Sequence, residues 1–137
     1  LGQLRLANGG LLYYEFARLI NVLAQANNVI QQRLDRPLCF KQQPTSSARY
    51  FENVVNQFFI PDVQKLAVEL ARQEQDIMVP YRELEISLLT FAPPAYQQWV
   101  ETREATFLAG RQATHQHVLL IQQLYQQCGL AAGNRKR

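Results

Sequence analysis

The spacing of apolar residues predicts a chain built almost entirely from helices. Apolar side chains recur at steps of three and four residues, first from Leu12 to Leu34, and this spacing places them on one face of a helix. We expect the first helix over residues 11–34, between an irregular lead-in at residues 1–10 and Pro37. No segment alternates apolar and polar residues in the way that a half-buried strand does.

The middle of the chain predicts one long helix despite two internal prolines. The apolar stripe from Val55 to Phe91 keeps its phase through Pro61 and Pro80. Neither proline has the spare neighbouring residues that a connection between antiparallel helices needs. We therefore expect residues 46–91 to form a single rod, bent at both prolines, which raises the number of assigned helices to four or five if the bends divide it.

The end of the chain predicts a third long helix. It follows the double proline at residues 93 and 94, covers residues 95–127, and ends at Gly129, a natural C-terminal cap. Residues 130–137 are expected to form a flexible basic tail. The predicted fold class is thus all-α: a single domain over residues 1–137, folded as an antiparallel bundle of three principal helices.

This topology predicts where the two cysteines lie relative to each other. An up-down-up order brings the end of the first helix and the end of the last helix to one pole of the bundle. Cys39 follows the first helix and Cys128 closes the last, so their side chains are expected to lie near each other. They would form a disulfide in an exported protein and stay free in a reducing cytosol. Two cysteines placed as a single staple favour an exported, periplasmic protein.

The opposite end of the bundle is the predicted partner-binding surface. The first helix is too short to cover the whole hairpin formed by the rod and the last helix. The far end of that hairpin nevertheless carries large apolar side chains, namely Leu88, Leu89, Phe91, Tyr96 and Trp99. Aromatic side chains commonly anchor interfaces because they bury much area with few rotatable bonds. The competing interpretation is that the hairpin bends back and buries these residues as core.

Composition and charge exclude several classes of protein. Apolar residues make up 47% of the 137 residues, which is enough for a core. No run approaches the about 18 apolar residues that a membrane span requires. The net charge of +3 is supplied entirely by Arg135, Lys136 and Arg137, so the sequence shows no basic face for nucleic acid.

The groups that resemble catalytic or metal sites have simpler structural interpretations. His115 and His117 stand two residues apart on a helix and therefore point in different directions, so no metal site is predicted. Met78 lies within an apolar segment and is expected to pack in the core rather than to bind haem. The sequence lacks a glycine-rich phosphate loop, and Ser46 and Ser47 have no nearby histidine to activate them.

The charged residues of the hairpin are expected to form a solvated face with ion pairs. Arg103 differs from the others, because it falls on the apolar seam of the last helix. It is expected to extend its charged end to solvent or to pair across the hairpin with Glu85 or Glu83.

These observations favour a non-catalytic interaction, adaptor or assembly module without a cofactor. It would bind a protein partner, or a second copy of itself, through the apolar hairpin surface. The alternative is a bundle with an apolar pocket between helices that binds a small molecule or lipid, as a sensor or carrier does. The aromatic residues expected to line such a pocket are Phe16, Phe58, Phe59 and Phe107.

Overall fold

The computed structural model describes residues 8–35 and 38–130 and shows a bundle of three long helical units. Helix α1 spans Asn8–Leu34, a continuous rod begins at Ser46, and the last helix spans Pro94–Gln127. The predicted fold class is confirmed. The predicted tail from residue 131 onward and most of the predicted lead-in lie outside the described residues. Within them, no helix is long and apolar enough to cross a membrane.

Helix α1 begins earlier than the sequence pattern indicated. Asn8, Gly9 and Gly10 belong to its first turn, so the prediction that these three residues form part of an irregular lead-in is wrong. Each glycine costs a helix about 1 kcal/mol relative to alanine. The burial of Leu12 and Phe16, further along the same helix, stabilises it and offsets that cost.

The connection after α1 contains a small hairpin within the region predicted as a loop. Strands β1 (Cys39–Phe40) and β2 (Gln43–Pro44) pair antiparallel around a turn in which both central residues have positive φ. Two-residue strands are too short to produce an alternating pattern. The next helix then begins after Thr45, whose hydroxyl caps it by accepting a hydrogen bond from the Ala48 amide.

The rod is continuous, as predicted, and its three parts differ in helix type. Helix α2 (Ser46–Val54) passes into a π-helical segment (Val55–Gln64), and this passes into helix α3 (Lys65–Leu88). Pro61 lies inside the π-helical segment and Pro80 inside α3, and the chain reverses at neither. A wider π turn suits Pro61, because a proline has no N–H to give to the helical ladder.

A short 3₁₀ turn (Leu89–Phe91) and an extended Ala92 lead into helix α4 (Pro94–Gln127). Helices α1 and α4 run parallel: Phe16 packs on Phe107 near the middle, and the Gln127 side chain reaches the Leu34 carbonyl at the end. The rod runs antiparallel to both. The core lies where the three units meet, and its most buried members are Leu12, Phe16, Leu23, Phe107 and Leu124.

Candidate functional site

An apolar groove of about 860 Å³ lies between the C-terminal half of α1 and the first half of the rod. Val29 and Ile30 form its α1 wall, and Phe51, Val55 and Phe59 line it from the rod. Its floor is part of α4, through Ile121 and His117.

The groove exists because the rod stands further from α4 than α1 does. Helix α1 packs closely on α4, where Gly110 accepts the ring of Phe16. The rod meets α4 through ring pairs instead. Phe51 lies edge-on to Tyr125 with ring centroids 6.1 Å apart, and Phe59 packs on His117 with centroids 4.5 Å apart.

His117 is the buried polar side chain of the groove. Only 5% of its surface is exposed, and its Nδ1 lies 2.5 Å from Oδ1 of Asn27 on α1. Burial lowers the pKa of His117, which favours the neutral imidazole. Its other ring nitrogen, Nε2, makes no hydrogen bond to a described residue and is not sealed from solvent, so it remains available at the groove floor.

The polar end of the groove lies at the pole that holds the two cysteines. Arg33 contributes from the last turn of α1, and Ser46 and Ser47 contribute from the first turn of α2. From Ser47 to Phe59 the rod advances by at most about 18 Å at the α-helical rise of 1.5 Å per residue, because its residues from Val55 onward are π-helical and rise less. The groove therefore has an elongated apolar surface with a cation and two hydroxyls at one end.

Of the four aromatic residues predicted to line a pocket, one lines the groove. Phe59 does line it, but Phe16 and Phe107 are buried in the core between α1 and α4. Phe58 is exposed and does not line the groove. Periodicity identified the apolar faces, but it carries no information on how far apart two helices stand.

The predicted partner-binding surface is exposed at the hairpin tip. Phe91 is 86% exposed, Leu88 57% and Trp99 46%, whereas Leu89 and Tyr96 are half-buried. Within the described chain the tip does not fold back onto the bundle.

A buried ion pair holds the two helices of the tip together. Both terminal nitrogens of Arg103 donate to the carboxylate of Glu85, at 2.9 and 2.6 Å, and only 2% of the Arg103 surface is exposed. The Tyr96 hydroxyl donates to the same carboxylate at 2.6 Å. The hydrogen bonds from Arg103 and Tyr96 hold the pKa of Glu85 below its usual value despite burial. The expected pairing of Arg103 with Glu85 is confirmed.

This pair extends into a wider network across the hairpin. Glu104 accepts from Arg103 and from Arg82, and Glu74 accepts from Arg82 and from Arg111. Burial would raise the pKa of Glu104, but the two guanidinium groups lower it below its usual value. Glu74 and Glu85 are both buried, so the prediction that the hairpin carboxylates are solvated is wrong for Glu85. The sequence did hold one signal that Glu74 is buried: it is a polar residue whose helical spacing places it among the core positions.

The disulfide between Cys39 and Cys128 closes the pole next to the groove, as the topology predicted. The two Cα atoms are 5.2 Å apart, and 89 residues of sequence separate them. Because Leu38, Ser46 and Ser47 all line the groove close to Cys39, the bond ties one end of the groove to α4.

Met78 is buried, as expected. His115 is exposed and His117 is buried, and the described residues hold no cluster of potential metal ligands.

Comparison with known proteins identifies the family and assigns no activity. The model of a family described as "Protein of unknown function (DUF3080)" matches residues 3–132, so the chain belongs to that family. No curated protein and no solved structure matches the chain.

Proposed function

For this member of a family without an assigned activity, we propose a non-catalytic binding function, in which the groove between α1 and the rod holds an elongated apolar ligand. The groove itself is the observation that carries the proposal. Its volume of about 860 Å³ lies within the about 300–1,000 Å³ typical of small-molecule sites. Sensor and carrier domains use such a site without changing the ligand chemically.

The exposed apolar side chains around the groove support a bound occupant. Val29 and Tyr50 line it and are both largely exposed. Apolar surface in water costs about 25 cal/mol per Å² relative to burial, so a ligand that covers these side chains gains that free energy. The lining contains one imidazole and no carboxylate, a composition suited to holding an apolar molecule.

The disulfide supports the further proposal that the protein works in an oxidising compartment outside the cytosol. Disulfides of this kind persist in exported proteins and are rare in a reducing cytosol. Mass spectrometry of alkylated, non-reduced protein from its native source tests this, and two alkylated cysteines would contradict it.

A matched pair of valine substitutions tests the groove. Val29 and Val22 are both exposed on α1, but only Val29 lines the groove. We expect Nile red to bind the wild-type protein saturably at one site and 1-tetradecanol to displace it. Val29→Asp should weaken binding at least tenfold, about 1.4 kcal/mol, and Val22→Asp should leave it unchanged. Absence of saturable binding, or equal effects of the two variants, would contradict the proposal.

A second binding function, at the hairpin tip, is favoured by the exposure of Leu88, Phe91 and Trp99. The Arg103–Glu85 pair and the Tyr96 hydroxyl hold this surface in place. The Arg103 guanidinium packs on the Trp99 ring, 4.9 Å from its centroid, and leaves Leu88 and Phe91 exposed. Rigid exposed aromatics suit a protein partner or a second copy of the chain, because little side-chain entropy is lost on binding.

Sedimentation velocity over a range of concentrations tests self-association through the tip. Phe91→Ser should abolish a concentration-dependent dimer. Phe40→Ser should not, because Phe40 is also largely exposed but lies at the opposite pole. The pair Trp99→Ala and Leu89→Asp should weaken association at least tenfold with little change in melting temperature. A wild-type protein that stays monomeric would contradict self-association, and a loss of several kcal/mol of stability would identify these residues as core.

A further inference from the structure

We propose that the groove selects a single-chain amphiphile with a carboxylate head group, and that Arg33 binds the head. This inference rests on the proposed ligand-binding function of the groove and specifies the chemical class of its ligand. The ligand class is that of a long-chain fatty acid.

The polar groups of the groove are gathered at one end. Arg33 lines that end and forms no ion pair with a carboxylate among the described residues. A guanidinium group offers donors in a planar fork that matches the two oxygens of a carboxylate. Ser46 and Ser47 line the same end and add two hydroxyl donors. One cation with neutral donors suits a head group carrying a single negative charge.

The opposite end of the groove suits an uncharged chain terminus. Phe59 and the buried ring of His117 meet there, and the lowered pKa of His117 keeps its imidazole neutral near pH 7. Between the two ends the rod presents Phe51 and Val55, which are apolar. A charged group placed at the end formed by Phe59 and His117 would lose its hydration and find no opposite charge there, because Arg33 lies at the other end.

The length of the groove sets the length of the chain. At most about 18 Å of rod separates Ser47 from Phe59 at 1.5 Å per residue. An extended alkyl chain advances by roughly 1.25 Å per carbon when its bonds are about 1.5 Å long. The groove therefore accommodates up to about 14 carbons in an extended chain, measured from a head group at Arg33.

Three ligands with the same chain and different head groups test the inference. Tetradecanoic acid, 1-tetradecanol and tetradecyltrimethylammonium, each below its micellar concentration, compete with Nile red for the disulfide-bonded protein. We expect the acid to bind at least tenfold more tightly than the alcohol, and the ammonium compound to bind more weakly than the alcohol. Arg33→Gln should remove the preference for the acid and leave the affinity for the alcohol unchanged.

Arg49→Gln is the matched control, because Arg49 is an exposed arginine of α2 that does not line the groove. It should leave all three affinities unchanged. If the acid and the alcohol bind equally and Arg33→Gln changes neither, the head-group inference is overturned while the proposed groove function stands. If no ligand displaces Nile red, or if Nile red itself does not bind, both fail.

Discussion

Gly110 of α4 lies directly against the ring of Phe16 of α1, so closely that a Cβ atom built on Gly110 would overlap the ring carbon Cδ1. Helices α1 and α4 can therefore pack this closely because Gly110 has no side chain. The same contact turns the Phe16 ring edge-on to Phe107, with centroids 5.1 Å apart. Close packing of these two helices leaves the rod as the unit that stands apart and opens the groove.

Gly110→Ala should lower the free energy of unfolding by up to about 2 kcal/mol. The added methyl group forces Phe16 out of place, and such overpacking typically costs about 1–3 kcal/mol. The gain in helix propensity, about 1 kcal/mol, offsets part of this. Gly10→Ala is the control, because nothing lies within 4 Å of a Cβ there, and it should be neutral or stabilising. Urea unfolding followed by circular dichroism measures both, and equal effects would contradict the packing argument.

Removing the hydroxyl of two different tyrosines should change stability in opposite directions. The Tyr125 hydroxyl is buried and has no hydrogen-bond partner among the described residues, and burial raises the pKa of Tyr125 to about 12. Tyr125→Phe should therefore raise the free energy of unfolding by about 1 kcal/mol. The Tyr96 hydroxyl donates to Glu85, so Tyr96→Phe should lower it by about 1.5 kcal/mol. Thermal denaturation of the two variants, compared at the wild-type melting temperature, decides between these signs.

Breaking the buried Arg103–Glu85 pair should cost more when one partner is removed than when both are. Glu85→Leu leaves the buried Arg103 charge paired with Glu104 alone and should lower stability by up to about 3–5 kcal/mol. The double variant Glu85→Leu with Arg103→Met should recover much of that loss. Arg72→Met, which removes exposed pairings with Glu69 and Asp76, should change stability far less than Glu85→Leu does. Strictly additive effects in the double-mutant cycle would show that the pair is not coupled.

Stability should fall as the pH drops from about 7 toward 5.5, and His117 should account for part of the fall. Burial lowers the folded-state pKa of His117, whereas an unfolded histidine titrates near 6.5. Below that pH the unfolded chain binds a proton that the folded chain does not, so stability declines by up to about 1.4 kcal/mol per pH unit until the folded pKa is reached. His117→Gln should flatten the profile measured by urea unfolding. His115→Gln, at an exposed position, should not.

Replacing both cysteines should lower stability by about 4 kcal/mol, because the disulfide closes a loop with a sequence separation of 89 residues and loop-closure entropy grows with loop length. Cys39→Ser with Cys128→Ser, compared with oxidised wild type in chemical denaturation, measures this difference. Reduced wild-type protein should behave like the double variant. Equal stability of the oxidised and reduced proteins would contradict the expected contribution.

Much of the fold was predictable because it depends on side-chain periodicity. The uninterrupted stripe through Pro61 and Pro80 indicated a continuous rod, and the up-down-up order then placed Cys39 beside Cys128. The position of Arg103 on an apolar seam left two outcomes open, a charged end in solvent or a pair with Glu85 or Glu83, and the pair with Glu85 is the one that forms. These features are local patterns, or direct consequences of the order of the helices.

The groove and the π-helical segment were not predictable in the same way. The distance between α1 and the rod depends on how closely each packs on α4, as Phe16 of α1 does on Gly110, and a stripe of apolar residues does not report that distance. The stripe has the same residue types before and after Val55, so it does not reveal the change from α to π hydrogen bonding there. Glu74 accepts from arginines on two helices, and such a shared carboxylate is visible only once the hairpin is assembled.

The bond between Cys39 and Cys128 makes the rod and α4 parts of one covalent ring, to which α1 is attached as a branch. A single cut by a protease at the exposed tip near Phe91 would therefore open the ring without releasing a fragment. The cleaved protein would migrate as one molecule until a reductant separated its two pieces. A protease can thus cut the chain at the surface that carries the exposed aromatic residues, while the disulfide beside the groove at the other pole still joins the two pieces.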